Sequence, residues 1–475
     1  MIFNSIPFLI FLPTVFILYW FILKKLNSQN LLLLAASYLF YGWWDYRFLL
    51  LISGSTLIDY FIALAIQKNN DDGWRKTLLY CSIGCNLLLL GYFKYLNFFI
   101  DSFIDLGNSI GFSTNYTSLQ IILPVGISFY TFQTLSYTID VYRNEIKPTK
   151  NFIIFATYVS FFPQLVAGPI ERAKNLLPQF SQKRKFSFLH AKSGIQLIIW
   201  GLFQKLVIAD NCATFVNAIF KSYETLDSLS LILGAIYFAF QIYCDFAGYS
   251  NIAIGTARLF GFDLMRNFNY PYFSKNIAEF WRRWHISLST WFRDYLYIPL
   301  GGSRGSKFQQ VRNIFIIFLV SGFWHGANWT FIAWGGLHAL FFIPLLFKKG
   351  ETDKLFWKKL NYVAKFPEVL KISFTFFLTC IAWVFFRSSS ISESLNFLGR
   401  ILTNHSFKLK YLSIERYNIE MLLLIAVLVL IEWFSQTKEH PLTGNFELLK
   451  TIAIIWLILL FGVFSNHSSF IYFQF

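Results

Sequence analysis

Residues 311–347 read VRNIFIIFLVSGFWHGANWTFIAWGGLHALFFIPLLF, and the stretch consists of two long apolar runs that meet at Gly326-Ala327-Asn328. A helix that crosses a bilayer needs about 20 mostly apolar residues. Each run approaches that length, and Arg312 in the first run is the only Lys, Arg, Asp or Glu residue of the whole stretch. We therefore predict two membrane helices, over residues 311–325 and 329–347.

The same pattern recurs along the chain and predicts eleven or twelve membrane helices in an all-α polytopic membrane protein. One further apolar stretch, 152–168, ends at Gly168-Pro169. Short or proline-broken pieces are typical of segments that are buried in protein or line a cavity. We predict a single membrane domain over residues 1–475, with a motif-bearing core at about 120–347. The predicted helices lie near 6–23, 30–44, 46–66, 77–99, 120–141, 190–209, 228–248, 311–325, 329–347, 369–387, 417–434 and 450–467.

Composition also favours a bilayer over water as the solvent. Hydrophobic residues make up 56% of the chain and charged residues only 14%, against about 45–50% and about 25% in soluble domains. The net charge of +16 does not indicate a nucleic-acid partner, because the basic residues lie in short connections between apolar runs. By the positive-inside rule, residues 256–312 are predicted to be cytoplasmic and the N-terminus external.

Residues 276–300, NIAEFWRRWHISLSTWFRDYLYIPL, are too polar to span a bilayer. Helical periodicity over 276–295 predicts an amphipathic helix at the membrane interface, with His285 beside its apolar stripe. The guanidinium groups on its other faces match phosphate oxygens in shape and charge. They are candidates to bind an anionic substrate, or alternatively to anchor the helix to lipid headgroups. The stripe consists of Phe280, Trp284, Leu288 and Trp291, and the arginines are Arg282, Arg283 and Arg293.

His325 and Asn328 lie inside the apolar stretch 321–340. A titratable side chain at membrane depth indicates function, because burying it is costly. Neutral imidazole is well suited to take a proton from a hydroxyl group near pH 7. Nearby glycines allow close approach of backbone or ligand, which favours His325 over His338, a predicted structural residue. These glycines are Gly322, Gly326, Gly335 and Gly336.

Asp245 is a third candidate, a carboxylate near the end of a predicted span. It is predicted either to orient a partner group or line a substrate tunnel, as a substrate-binding residue, or to belong to a buried structural pair. The Pro/Gly-containing segment 161–180 is predicted to form the wall or mouth of a cavity. The sequence contains no P-loop, CxxC pair or HExxH motif, so we predict neither an ATP-driven motor, nor a bound metal, nor a resident cofactor.

Three segments closely resemble the bacterial alginate O-acetyltransferase branch of the membrane-bound O-acyltransferases. They are FFPQLVAGPIER (161–172), FWRRWHISLSTWFRDYLYIPLGGSR (280–304) and SGFWHGANWTFIAWGGLHAL (321–340), together with the ending FIYFQF (470–475). The resemblance implies about eleven membrane helices around a central tunnel. It implies that His325, in the WHG motif, is the catalytic histidine and that His285, in the RRWH motif, lies at the cytoplasmic mouth of the tunnel.

The resemblance also implies a mechanism. Acetyl-CoA or another acyl thioester approaches from the cytoplasm, where the helix over 276–295 receives its phosphates. The acceptor hydroxyl attacks the thioester while His325 removes its proton, and His285 positions donor or acceptor. From helical spacing we predict that Asn328, three residues after His325, fixes the tautomer of that histidine.

In this branch the acyl group passes across the cytoplasmic membrane to a secreted or membrane-anchored acetyltransferase partner, which modifies an exopolysaccharide or cell-wall polymer. Three alternatives stay open at this point: D-alanyl transfer to a teichoic acid, transport of a lipid-linked sugar, and a non-catalytic scaffold. A transporter needs no histidine base, so replacement of His325 separates it from an acyltransferase.

Overall fold

The computed structural model of the chain describes residues 1–112, 119, 121–347, 365–404, 418–465 and 470–471. Residue 120, residue 417 and residues 466–467, at the ends of three predicted membrane helices, lie outside the described residues, as do residues 472–475 of the C-terminal motif. The chain divides into two compact units, Met1–Gly194 with Ala253–Met265 and Ile195–Ile252 with Arg266–Phe475.

All regular structure in the described ranges is helical, and each predicted membrane helix is helical over most of its described length. Four π-helical turns interrupt or extend the α-helices, at Leu18–Ile22, Gly91–Tyr95, Phe203–Ala209 and Arg293–Tyr297. The α-helices are α1 (Ile6–Ile17), α2 (Leu26–Gly42), α3 (Phe48–Lys68), α4 (Asp72–Leu90), α5 (Leu96–Ser109), α6 (Ile127–Tyr142), α7 (Phe152–Ser160), α8 (Phe162–Leu165), α9 (Ala173–Ser181), α10 (Phe188–Leu202), α11 (Asp210–Lys221), α12 (Ser228–Leu259), α13 (Ile277–Arg283), α14 (Ile286–Phe292), α15 (Lys307–His325), α16 (Trp329–Leu346), α17 (Val369–Arg387), α18 (Ile391–Thr403), α19 (Asn418–Trp433) and α20 (Glu447–Phe461).

Six helical segments of the described chain are long and apolar enough to cross a membrane. Shorter apolar helices accompany them at Ile6–Ile22, Phe152–Leu165 and Met421–Trp433. The prediction of an all-α, multi-pass membrane protein is therefore confirmed, although fewer helices reach full spanning length than the eleven or twelve predicted. The six segments are Phe48–Lys68, Asp72–Ser109, Phe188–Lys221, Ser228–Leu259, Trp329–Leu346 and Phe366–Arg387.

In the first unit, helices α3, α4 and α6 pack together around a buried polar cluster. The carboxylate of Asp59 accepts hydrogen bonds from the Ser82 hydroxyl at 2.6 Å and the Asn86 side-chain amide at 2.9 Å. Polar groups at this depth need such partners because lipid offers none. The Pro/Gly-containing segment 161–180 is largely buried in the same unit, and its predicted role as a cavity wall stays a prediction.

In the second unit, α15 and α16 form a tightly packed antiparallel hairpin. At its open end, Lys307 Nζ donates a hydrogen bond to the Leu346 carbonyl oxygen at 2.7 Å. The backbones approach closely through two glycines. A Cβ on Gly322 would collide with the carbonyl oxygen of Phe331, and one on Gly335 with that of Phe318. The hairpin thus depends on the glycines that mark it in the sequence.

Two adjacent glycines of α16 test this packing. We expect Gly335→Ala to lower the free energy of unfolding by about 1–3 kcal/mol or more, because the collision is with backbone that cannot move alone. Gly336→Ala is the matched control, since its Cβ would meet only Leu319 Cδ2 at 3.8 Å and alanine favours the helix. The measurement is thermal unfolding of the detergent-solubilised variants. Equal losses at both positions would refute the backbone-contact explanation.

Candidate active site

The chain turns sharply at His285, which separates α13 from α14. His285 has a left-handed backbone with φ 42°, a conformation that non-glycine residues rarely adopt. Two backbone hydrogen bonds hold the turn: Asn269 N–H donates to the Arg283 carbonyl oxygen at 2.9 Å, and Ile286 N–H donates to the Asn267 carbonyl oxygen at 2.8 Å. The predicted continuous helix over 276–295 was therefore wrong.

The apolar stripe of this segment does not face lipid, as it would in the predicted interfacial helix. The apolar stripe is buried in the second unit, with Phe280 and Leu288 1% exposed and Trp284 fully buried. Arg283 is buried too, and its guanidinium forms an ion pair with Glu279 at 2.7 Å. Because this charge is already compensated inside the protein, Arg283 does not fit its predicted role of binding an anionic substrate.

The neighbours of His285 determine which of its nitrogens carries the proton. Asn267 Oδ1 accepts hydrogen bonds from the Ser287 backbone N–H at 3.3 Å and the Ser287 hydroxyl at 2.9 Å. A backbone N–H can only donate, so this atom is the amide oxygen and not the nitrogen. His285 Nδ1 lies 3.2 Å from the same oxygen and is therefore the protonated nitrogen, which leaves the lone pair on Nε2.

Burial keeps His285 neutral. The side chain is fully buried, and this desolvation lowers its pKa from 6.5 to about 3. A neutral imidazole of such low basicity is a good hydrogen-bond acceptor and a poor proton acceptor. The lone pair on Nε2 and the lowered pKa together suit His285 for positioning a hydroxyl group rather than for deprotonating it.

His325 ends helix α15 and lies beside His285. The two ring centroids are 6.4 Å apart, although 40 positions separate the residues in the sequence. The His325 ring makes edge-to-face contacts with Trp334 at 5.1 Å and Phe386 at 5.6 Å, and the residue is 2% exposed. The structure thus brings the two predicted catalytic residues together inside an aromatic enclosure.

His338 has a different environment. Its Nδ1 accepts a hydrogen bond from the indole N–H of Trp281 at 3.3 Å, and its ring stacks on Phe280 at 6.0 Å. The side chain is fully buried among aromatic rings. This environment is typical of a structural histidine, as the sequence predicts.

Asn328 does not contact His325 in the way that helical spacing predicts. Helix α15 ends at His325, and Gly326 has an extended backbone with φ −161°. Asn328 caps the next helix instead: its Oδ1 accepts from Thr330 N–H at 2.9 Å, and its Nδ2 donates to the Ser389 carbonyl oxygen at 3.1 Å. The prediction was wrong because it assumed one continuous helix through the Gly326 turn.

A cavity of about 70 Å³, here called the arginine cavity, lies near His325 without including it in its lining. Arg282 and Arg293 contribute its charged groups, and Arg293 forms an ion pair with Asp294 at 2.5 Å. The other walls are mostly apolar, and the cavity extends to Ser321, one helical turn before His325. Its complete lining is Ala278, Trp281, Arg282, Leu288, Ser289, Phe292, Arg293, Tyr297, Ile314, Ile317, Phe318, Ser321 and Phe342.

A second, open cavity of about 530 Å³, here called the polar cavity, has Ala327, two residues after His325, in its lining. It is lined by Ala327 and Asn328 and by Phe386, whose ring contacts His325. Its polar side chains include Arg387 and Glu393. Along α15 and the following turn, His325 therefore lies between the arginine cavity and the polar cavity.

Asp245 belongs to a buried ion cluster. Its Oδ1 lies 2.7 Å from Lys205 Nζ, and its Oδ2 accepts a hydrogen bond from the backbone N–H of Ile471 at 2.7 Å. Lys205 Nζ also lies 2.8 Å from Asp210. Both carboxylate oxygens of Asp245 are engaged by protein groups, so the buried pair that the sequence left open is what the structure shows, and the substrate-binding alternative does not fit.

Several residues of the site were missed or misjudged from the sequence. Ser287, which the sequence did not single out, is fully buried against Asn267. Asn267 carries no signal of its own. Lys205 does, because a lysine within the apolar segment 190–209 must find a counter-charge in the protein, and Asp245 is an intramembrane carboxylate that supplies one.

Comparison with known proteins finds similarity to acyltransferases along the chain. A family model described as MBOAT, membrane-bound O-acyltransferase family, matches residues 143–388. The chain is 38% identical to the probable alginate O-acetylase AlgI of Azotobacter vinelandii, over 94% of this chain and 87% of that protein. It is 33% identical to the peptidoglycan O-acetyltransferase of Helicobacter pylori, over 100% and 98% respectively. The teichoic acid D-alanyltransferase of Bacillus subtilis is more distant, at 28% identity over 56% of this chain and 69% of that protein.

Proposed function

The chain belongs to the membrane-bound O-acyltransferase family and is a multi-pass membrane acyltransferase, and we propose that His325 is the general base with which it acylates a hydroxyl group. The observation that carries this proposal is the position of His325. It is buried beside His285, and on this segment the arginine cavity is lined as far as Ser321, four residues before His325, while the polar cavity is lined from Ala327, two residues after it. We infer that the two substrates approach this histidine from these two sides.

The arginine cavity is the proposed donor site. Arg282 and Arg293 offer guanidinium groups for phosphate oxygens, which they bind with matching geometry. The apolar walls suit a thioester arm with its acetyl group, so the cavity has the chemistry to accept acetyl-CoA from the cytoplasm. Arg283 takes no part, because its ion pair with Glu279 is buried, whereas the ion pair of Arg293 with Asp294 is partly exposed.

In the proposed reaction, the acceptor oxygen attacks the thioester carbonyl carbon while His325 takes the hydroxyl proton. The carbon–sulfur bond then breaks, and the thiolate leaves with the proton that His325 has taken up. His285, neutral and with its lone pair on Nε2, accepts a hydrogen bond from the incoming hydroxyl group and orients it. The low pKa of His285 argues against this residue as the base, which supports the proposal that His325 takes that role.

The polar cavity is the proposed acceptor side. Relatives named as alginate O-acetylases and as a peptidoglycan O-acetyltransferase support an exopolysaccharide or cell-wall polymer as the final acceptor. We propose that the chain lies in the bacterial cytoplasmic membrane and passes its acetyl group to a separate extracytoplasmic acetyltransferase. The lower coverage of the D-alanyltransferase match favours acetyl over D-alanyl transfer.

The test is to express the chain together with its neighbouring gene products and to measure O-acetyl ester on isolated exopolysaccharide and on peptidoglycan. We expect ester on one polymer to appear with the chain and to be absent from cells that carry the same neighbours without it. The polymer that gains ester identifies the acceptor. Unchanged ester on both polymers, with the chain present in the membrane, would contradict acetyl transfer.

A further inference from the structure

The backbone of Ile471 is bound by Asp245, although 226 positions separate them. The hydrogen bond from Ile471 N–H to Oδ2 is 2.7 Å long, and a carboxylate acceptor makes it stronger than a neutral one. Asp245 is 3% exposed, Ile471 is 2% exposed and Phe470 is fully buried. Residues 470–471 therefore form an internal part of the second unit, and we call them the C-terminal anchor.

The C-terminal anchor reaches His285 through one aromatic ring. Phe470 packs on α12 against Tyr249 at 4.5 Å and against Phe246 at 5.8 Å between ring centroids. Phe246 in turn meets the His285 ring edge-to-face at 4.6 Å. Displacement of Phe470 would leave a cavity beside Phe246. Close-packed neighbours relax partially into such a cavity, so we expect Phe246, and with it the His285 ring, to shift.

Asp245 belongs to a buried ion cluster in which negative charge is in excess. Lys205 Nζ lies within 2.8 Å of both Asp245 and Asp210, so two carboxylates share one ammonium group and the cluster has a net formal charge of −1. The excess negative charge favours a further hydrogen-bond donor, and the Ile471 N–H supplies one. Removal of Asp245 alone would leave the neutral pair of Lys205 and Asp210.

We propose that Asp245 is a positioning residue that holds the C-terminal anchor in place and, through Phe470 and Phe246, fixes the orientation of His285. The part of this inference that concerns catalysis rests on the proposed function. The part that concerns the anchor does not, because it predicts a physical property of the protein that needs no substrate.

The first experiment measures the anchor itself by digesting the detergent-solubilised full chain with carboxypeptidase and following its intact mass. In the wild-type protein we expect no product shorter than residue 471, because Phe470 and Ile471 are buried. In Asp245→Ala we expect digestion to continue past Phe470. Phe470→Ala, which keeps all the charges, is a second variant in case Asp245→Ala does not fold. Equal digestion of the wild type and a folded variant would overturn the proposal.

The second experiment asks whether Asp245 and Phe470 act through the same contact. We expect each alanine variant to lower acyl transfer by up to about 10²-fold, as small displacements of catalytic groups do. We expect the double variant to be no less active than the more impaired of the two single variants. Independent structural effects would instead multiply. Phe464→Ala, at a 56% exposed phenylalanine near the same end of the chain, is the matched control and should leave transfer unchanged.

The two experiments separate failure of the inference from failure of the proposed function. The wild-type protein could transfer no acyl group while its C-terminal anchor resists digestion and that of Asp245→Ala does not. In that case Asp245 holds the anchor as proposed, and the proposed function fails. If the variants are digested like the wild type, or if their effects on transfer multiply, the positioning role of Asp245 is refuted whatever the acceptor.

Discussion

Replacing His325 with alanine is expected to lower the rate of acyl transfer by about 10²–10⁴-fold, the usual contribution of a general base. His285 cannot replace His325 as the base, because burial lowers the pKa of His285 to about 3. The measurement is transfer from radiolabelled acetyl-CoA by membranes with equal amounts of wild-type and variant protein. His325→Gln, which retains a hydrogen-bonding side chain, is expected to lose as much, since an amide takes up no proton.

His190→Ala is the matched control. This histidine is partly exposed and pairs with Asp263 at 3.4 Å in the first unit, so its loss should leave transfer within about twofold of wild type. Unfolding temperatures of all variants separate lost chemistry from lost packing, because His325 also contacts Trp334 and Phe386. If a folded His325→Ala variant retains full transfer, the general-base assignment is wrong, and transport of a lipid-linked sugar becomes the better explanation.

The sequence predicts the hairpin of α15 and α16 well because its signals are local. Two apolar runs, glycines at the contact positions and a polar break at residues 326–328 are all visible without tertiary information. The same locality identifies His325, since a histidine at the end of an apolar run needs a reason to be there. The bilayer restricts backbone choices so strongly that composition alone decides the fold class.

The surroundings of His285 could not be predicted, because contacts distant along the chain create them. Helical periodicity continues through residues 276–295, yet the backbone reverses at His285, where Asn267 binds the backbone of Ile286 and the side chain of Ser287. A polar contact from 18 or 20 positions away thus overrides local helix propensity. Arg283 does not fit the role of a phosphate ligand because its ion pair with Glu279 is buried, and this burial depends on tertiary packing that the local sequence does not reveal.

Lys205→Met is expected to cause a large loss of stability in the second unit. Lys205 Nζ lies 2.8 Å from Asp210 and 2.7 Å from Asp245, and the side chains of all three residues are at most 4% exposed. Methionine keeps the length of the side chain and removes its charge, which leaves two buried carboxylates without the cation that they share. Removing one partner of a buried ion pair typically costs about 3–5 kcal/mol.

Asp245→Asn is the comparison that isolates charge from shape. It removes one negative charge, so the formal charge of the cluster changes from −1 to 0, and it leaves the Lys205–Asp210 pair intact. The variant should therefore lose less stability than Lys205→Met. Denaturant unfolding in mixed micelles measures both variants against wild type. An equal or larger loss for Asp245→Asn would contradict this prediction, because uncompensated charge would then not be the dominant cost. Stability in this cluster would instead depend on the hydrogen bond to Ile471, and the C-terminal anchor would support the unit as a whole.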